Sequence, residues 1–260
     1  MLSHAAMKLG KLAPRVDHRT LRMARYIAFE ALPPPPVTVD YTKGITSFGM
    51  MLNDTLGICT EAAKGHAVQI WTANLGTEIT VPDAVVLDAY EKECGYNPAD
   101  SSTDQGGDEI TVLNSWRNNG FGGHELLGYA DPNPNDILHV KQSIYLFGGV
   151  YIGLALPLTA QTQDIWDVEL DNRSWFAKML KKSDPTEPNS WGGHAVFCPA
   201  YNNIGPICIT WGQLKQMTWA FWLKYCDESH TLFSKDWIGA KNPVGFAQPI
   251  FQQDLLDIAA

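Results

Sequence analysis

Apolar positions are spaced differently in the two halves of the chain. Between Cys59 and Ala73, the residues Ala62, Ala63, His66, Ile70 and Trp71 recur at near-helical intervals, which predicts a helix over 59–73. Residues 83–94 predict a second helix, opened by Pro82 and Asp83 and closed by Gly95. Residues 99–108 are polar and Gly-rich and read as a surface loop. A third helix is expected over 108–119, ending at Asn118-Asn119-Gly120, and a fourth over 137–147. Beyond these, the apolar residues come as short unbroken runs. Val150–Leu156 reads as a buried strand stopped by Pro157. Ala195–Tyr201 and Ile207–Trp211 read as a hairpin joined by Asn202-Asn203-Ile204-Gly205-Pro206. Met217–Tyr225 reads as an apolar helix, the last of the chain, its Trp219, Phe221, Trp222 and Tyr225 packing into the core. Helices first and strands later indicate an α+β chain of two unlike halves, about 37–135 and 136–260, with no internal repeat.

Residues 1–31 stand apart. They are basic, through Lys8, Lys11, Arg15, Arg19, Arg22 and Arg25, with a weak helical pattern through Leu21, Met23, Ile27 and Ala28. The run Pro33-Pro34-Pro35-Pro36 then forces extended backbone without ladder donors and marks a boundary between an arm, 1–36, and a body, 37–260. The arm is a pro-like segment, an extension that binds a protein partner, or a strap lying on the core.

Composition narrows the function classes. A net charge of −9 leaves too little basic surface for nucleic acid or for anionic lipid. The first thirty residues lack the apolar core of a secretory signal, and no apolar run approaches the roughly 18 residues of a membrane span. The five cysteines are scattered, odd in number and without a CxxC pair, which suggests a reducing compartment and neither a zinc site nor a disulfide framework. No metal or cofactor is expected. A cytoplasmic protein is the simplest expectation.

Candidate chemistry concentrates in two segments. The first is Asn53-Asp54-Thr55-Leu56-Gly57-Ile58-Cys59-Thr60-Glu61. A cysteine opening a helix meets the positive end of the helix dipole and unpaired first-turn amides, which favour thiolate and can hold a developing oxyanion. The amide of Asn53, six residues upstream, is placed to be a second oxyanion donor. The second segment is Trp191-Gly192-Gly193-His194-Ala195-Val196, followed by Ile209-Thr210-Trp211-Gly212. Two glycines permit close approach of another backbone to His194, and a Trp on the returning strand can shield the imidazole.

Together these segments resemble the papain family of cysteine peptidases from about Val39 to about Trp211. The family's Gln, five residues and Cys correspond to Asn53 and Cys59, and its His-Ala-Val to His194-Ala195-Val196, 135 positions after Cys59. Its Asn-Ser-Trp-Gly corresponds to Ile209-Thr210-Trp211-Gly212. The resemblance implies a helical half whose central helix starts at Cys59, an antiparallel β half, and a cleft between them. It implies Cys59 as nucleophile, His194 as base, Asn53 at the oxyanion and a peptide or protein substrate. The Gly-Gly-His and Thr-Trp-Gly forms also resemble phage and prophage proteins of this fold, which would make a virion an alternative location and a binding or structural component an alternative role.

Two positions depart from the family pattern. Asn53 is one methylene shorter than Gln. Ile209 stands where the family's orienting Asn belongs and cannot hydrogen-bond, while strand alternation sends Thr210 to the other face unless a bulge intervenes. Asp227, Glu228 or a backbone carbonyl are the other candidates to orient His194. Elsewhere, Gly122-Gly123-His124-Glu125 reads as loop rather than metal site, and Asp104 and Asp108 lack the pattern of a calcium loop. Cys198 and Cys208 read as two buried thiols facing each other across the hairpin.

Overall fold

A computed structural model describes residues 7–15, 17–27, 32, 34–175, 179–180 and 183–259. Among them are seven α-helices: α1 (Cys59–Asn74), α2 (Asp83–Cys94), α3 (Glu109–Asn119), α4 (Ile137–Phe147), α5 (Trp219–Tyr225), α6 (Lys235–Lys241) and α7 (Gln248–Ala259). The strands are β1 (Val39–Asp40), β2 (Leu126–Ala130), β3 (Val150–Leu156), β4 (Gly192–Tyr201), β5 (Pro206–Thr210), β6 (Gln213–Gln216) and β7 (Cys226–Ser234). The helix ends follow the punctuation of the sequence. Asp108 caps α3 through Thr111 N at 2.8 Å, Asp136 caps α4, and Gly95 and Gly148 close α2 and α4 in the left-handed conformation.

The strands form one antiparallel sheet in the order β2-β7-β3-β4-β5-β6, with β1 added to β4. Every residue of β3 is buried, because α1 covers one face of the central strands while α4 and α5 cover the other. Helix α1 is itself buried from Cys59 to Thr72, which is why its apolar pattern is not confined to one face. Its interior charge is neutralised locally: Lys64 pairs with Glu61 and, at 2.8 Å, with Glu93, and lies over the Phe121 ring. Tyr151 on β3 donates to Thr60 O at 3.0 Å, tying the sheet to the first turn of α1.

Several expectations change. Strand β2 lies within the helical half yet pairs with β7, so the halves interlock through the sheet. Helix α5 is not the last; β7, α6 and α7 follow it. The β7 sequence hides its strand character because Asp227, Glu228, Ser229 and His230 are polar and paired inside the protein. Among the described residues of the arm, the helical pattern reduces to a 3-10 turn at Met23–Arg25, and Ala28 and Pro33 lie outside the described residues. All five cysteines are free thiols. No helix among the described residues is long and apolar enough to cross a membrane.

Candidate active site

The turn before α1 is built tightly. Met51 and Leu52 adopt left-handed backbone at φ 54 and 61, unusual for such side chains, and they set Asn53 and Gly57 against the start of the helix. Gly57 N donates to Asp104 Oδ1 at 2.9 Å, and Tyr90 OH donates to the same oxygen at 2.7 Å. Asp104 thus braces the loop that presents Cys59, a role that the sequence did not suggest for it. Ile58, at the N-cap, supplies no side-chain cap; the Glu61 and Ala62 amides turn back to Ile58 O, each at 3.0 Å, and those of Cys59 and Thr60 have no helical partner.

His194 lies on β4, 1% exposed, with its ring stacked on Trp211 at 4.6 Å between centroids and 16° between planes. Trp211 reaches that position through a β5–β6 turn in which Trp211 and Gly212 have φ of 47 and 69. The far ring nitrogen, Nε2, lies 2.7 Å from Thr210 Oγ1. Regular alternation would have turned Thr210 away; a bulge turns it back. Ala200 pairs with Ile207 but Phe197 pairs with Ile209, a one-residue slip that brackets Pro199, which has no N–H to give the ladder. The slip places Ile209 with Phe197 on the α1 face and Thr210 on the face of His194. Asp227 and Glu228 are engaged elsewhere, by Lys11.

The cleft is not empty. Residues 7–12 of the arm run through it as extended chain. Gly10 O accepts from Gly107 N at 2.7 Å, Leu12 N donates to Gly107 O at 3.0 Å, and Lys11 N donates to Gly193 O at 3.1 Å. Lys8 O receives Trp211 Nε1 at 3.2 Å and, at 3.5 Å, the Asn53 amide, which also donates to Leu56 O at 3.3 Å. Gly10 N–H points at Cys59 Sγ, which accepts a second hydrogen bond from Ala195 N at 3.4 Å. The approach tolerates no side chains: a Cβ on Gly10 would lie 1.8 Å from Gly57 O, and one on Gly193 would lie 2.2 Å from Lys11 O. The loop at 99–108 is therefore a cleft wall at its end, with Gly106 and Gly107 buried under the arm.

Burial governs the charge of the pair. The Cys59 thiol is pushed up to about 11 by loss of water, with the Ala195 and Gly10 amides acting against that rise and Glu109 adding to it. His194 is pushed down to about 3 by burial and by nearby His66. Under the arm, the two are a thiol and a neutral imidazole. His194 Nδ1 has no hydrogen-bond partner among the described residues, so one ring nitrogen is free.

The other sequence candidates are accounted for structurally. Phe121 and His124 close a tight turn, and His124 Nδ1 lies 2.8 Å from Asp236. Asp108 is the α3 cap. Cys198 and Cys208 are buried free thiols within reach of each other across the hairpin.

No family model matches the chain, and no curated protein matches its sequence. Solved structures do. Xylellain, a cysteine protease from Xylella fastidiosa, superimposes with a TM-score of 0.62 over 88% of this chain and 96% of its own, at 15% identity. Procathepsin B S9 from Trypanosoma congolense gives 0.57 over 90% and 88%, at 9% identity. The cysteine protease and lectin-like domains of Cwp84, a surface layer associated protein of Clostridium difficile, give 0.53 over 88% and 56%, at 10% identity. The chain therefore has the papain-like fold. At these identities the likeness carries the fold alone, and none of the three gives support to a phage origin.

Proposed function

We propose that the protein is a papain-fold cysteine hydrolase acting on polypeptides, and that its own arm, within 1–36, closes the cleft of the 37–260 body. The observation that carries this reading is the arm itself: extended polypeptide lies across Cys59 with strand-like hydrogen bonds to both cleft walls, Gly107 and Gly193. A cleft that holds backbone this way is built for peptide.

In this reading Thr210 accepts from Nε2–H of His194, which leaves the lone pair of Nδ1 to take the Cys59 proton. The thiolate attacks a carbonyl carbon, the Cys59 amide with Asn53 holds the oxyanion, and His194 returns the proton to the leaving amine. Water then attacks the thioester, regenerating Cys59. Trp211 keeps solvent off the Thr210 contact. The arm is not cut, because it offers Cys59 an amide donor, Gly10 N–H, rather than a carbonyl carbon.

The test displaces the arm with Lys11→Glu, which sets a carboxylate against Asp227 and Glu228. The expected result is hydrolysis of a broad peptide panel that disappears when Cys59→Ala is added. Absence of Cys59-dependent hydrolysis, with Cys59 alkylating no faster than the other four thiols, overturns the reading. The competing reading is a binding or structural protein on the same fold, favoured by the Asn53 amide being partly spent on Leu56 O. Peptide binding without any turnover in that variant would establish it.

A further inference from the structure

The arm also shows how the cleft receives a side chain. One residue after the contact with Cys59, Lys11 turns into a pocket between α3 and β7. Its ammonium lies 2.7 Å from Glu228 Oε2 and 3.1 Å from Asp227 Oδ1, and it donates to Leu12 O at 3.2 Å. The side chain is 1% exposed. Glu109, at the start of α3, is equally buried and neither of its carboxylate oxygens accepts a hydrogen bond; one lies 3.3 Å from His230 Nε2. Gly153 on β3 leaves the passage open. A Cβ there would lie 2.0 Å from Lys11 Cε and 2.8 Å from Glu109 Oε1.

The chemistry of this pocket selects its occupant. Burial alone would push the Lys11 ammonium down, yet Glu109, Glu228 and Asp227 together hold it well above the ordinary lysine range. Burial also raises Glu109, and raises Glu228 to about 7; His230 faces Glu109, whereas Glu228 and Asp227 pair with the Lys11 ammonium and are costly to bury without it. The donor atoms of Glu109, Glu228 and His230 lie within 4.8 Å of one another, a spacing that suits a metal. His230, however, is an imidazolium held 2.6 Å from Asp131, raised to about 10 despite its burial, and has no lone pair for a metal. A long side chain ending in a cation is what fits.

We infer that this pocket is a specificity pocket for a lysine or arginine side chain of a polypeptide bound across Cys59, with Lys11 as its resident surrogate. Its meaning as substrate specificity rests on the hydrolase reading above; the pocket's preference does not, and it can be measured without turnover.

The probe is a fluorescein-labelled hexapeptide with the arm sequence Met7–Leu12, prepared also with arginine, norleucine or glutamate in place of its second lysine. Each is titrated by fluorescence anisotropy into the full Lys11→Glu chain. The lysine and arginine peptides are expected to bind about tenfold or more tighter than the norleucine peptide, with glutamate weakest. Adding Glu228→Gln is expected to shrink that gap. Equal binding of the norleucine peptide overturns the inference, and so does failure of all four to bind. Should Lys11→Glu not fold, the full Lys11→Ala chain carries the test through its melting temperature. Butylammonium chloride is expected to raise that temperature above equimolar sodium chloride or butanol, and to leave the unaltered chain unmoved; no difference overturns the inference. A negative result here with Cys59-dependent hydrolysis intact removes the pocket and keeps the enzyme, whereas a lysine preference without hydrolysis does the reverse.

Discussion

Neighbouring residues of the arm are buried in opposite ways. Gly10 meets Cys59 with neutral backbone, and burial strips the charge from Cys59 and His194, the thiol pushed up to about 11 and the imidazole down to about 3. Lys11 enters an equally dry place and keeps its charge, because three carboxylates face it. Loss of water penalises every ion; only a partner of opposite sign reverses the outcome. The arm is thus gripped by charge at one position and lies against uncharged groups at the other.

The largest effect that separates these two roles is on thiol reactivity. A thiol at about 11 is thiolate to roughly one part in ten thousand near pH 7. Expelling the arm with Lys11→Glu is expected to raise the iodoacetamide labelling rate of Cys59, followed by peptide mapping, about a hundredfold or more. Labelling that stays as slow as that of buried Cys198 would break the link between arm and site.

Two glycine substitutions then ask which end holds the arm. Gly10→Ala drives a Cβ into the Gly57 carbonyl, backbone against backbone, and is expected to lift the arm off Cys59 and speed labelling strongly. Gly153→Ala meets side chains rather than backbone, the end of Lys11 and Glu109 Oε1, and is expected to give a smaller acceleration. The reverse ranking would make the acidic pocket the principal anchor.

Within the site, Thr210→Val keeps the shape and removes the partner of His194 Nε2. It is expected to cost about 1–3 kcal/mol in urea unfolding and to lower hydrolysis in the arm-displaced chain, while Thr210→Ser retains both. Undiminished hydrolysis when Thr210→Val is added to the arm-displaced chain would show that stacking on Trp211 alone orients the ring.

The smallest effect is on pH. His66 and His194 take no proton in the folded chain until about 4 and 3, whereas unfolded imidazoles bind one near 6.5. Between those values the unfolded chain binds more protons at these two residues, so their share of the stability is expected to fall as pH falls from 6.5 toward 4, while Glu61 and Glu228, each raised to about 7, act the other way and keep the net change small. His230 acts with opposite sign: its stabilisation is full below 6.5 and is lost as pH rises toward 10. The difference in urea midpoint between the unaltered chain and His66→Gln across pH 4–7 isolates the His66 share, and it is expected to turn against the unaltered chain as pH falls; a difference independent of pH would show that His66 titrates alike in both states.

Much of the frame was legible in the sequence because it is written locally. Periodicity and capping residues mark α1 to α4, the Asn-Gly-Pro turn marks the hairpin, and the flanks of Cys59 and His194 mark the cleft at both of its ends. What lies across the chain was not legible. Thr210 faces His194 only because a one-residue slip at Pro199 inverts the face of β5, and single-strand alternation argues the other way. Asp104 braces Gly57 from 47 residues away, and Lys11 meets Asp227 across 216. Strand β7 looks polar because its charges are satisfied inside the fold rather than by water. The sequence by itself determined helices α1 to α5 and the hairpin, and named Cys59 and His194 as candidates, since propensity and pattern act over a few residues. Only the tertiary structure decided what orients the imidazole, what fills the cleft and which charges surround the arm, since these depend on register and burial, which the whole chain sets together.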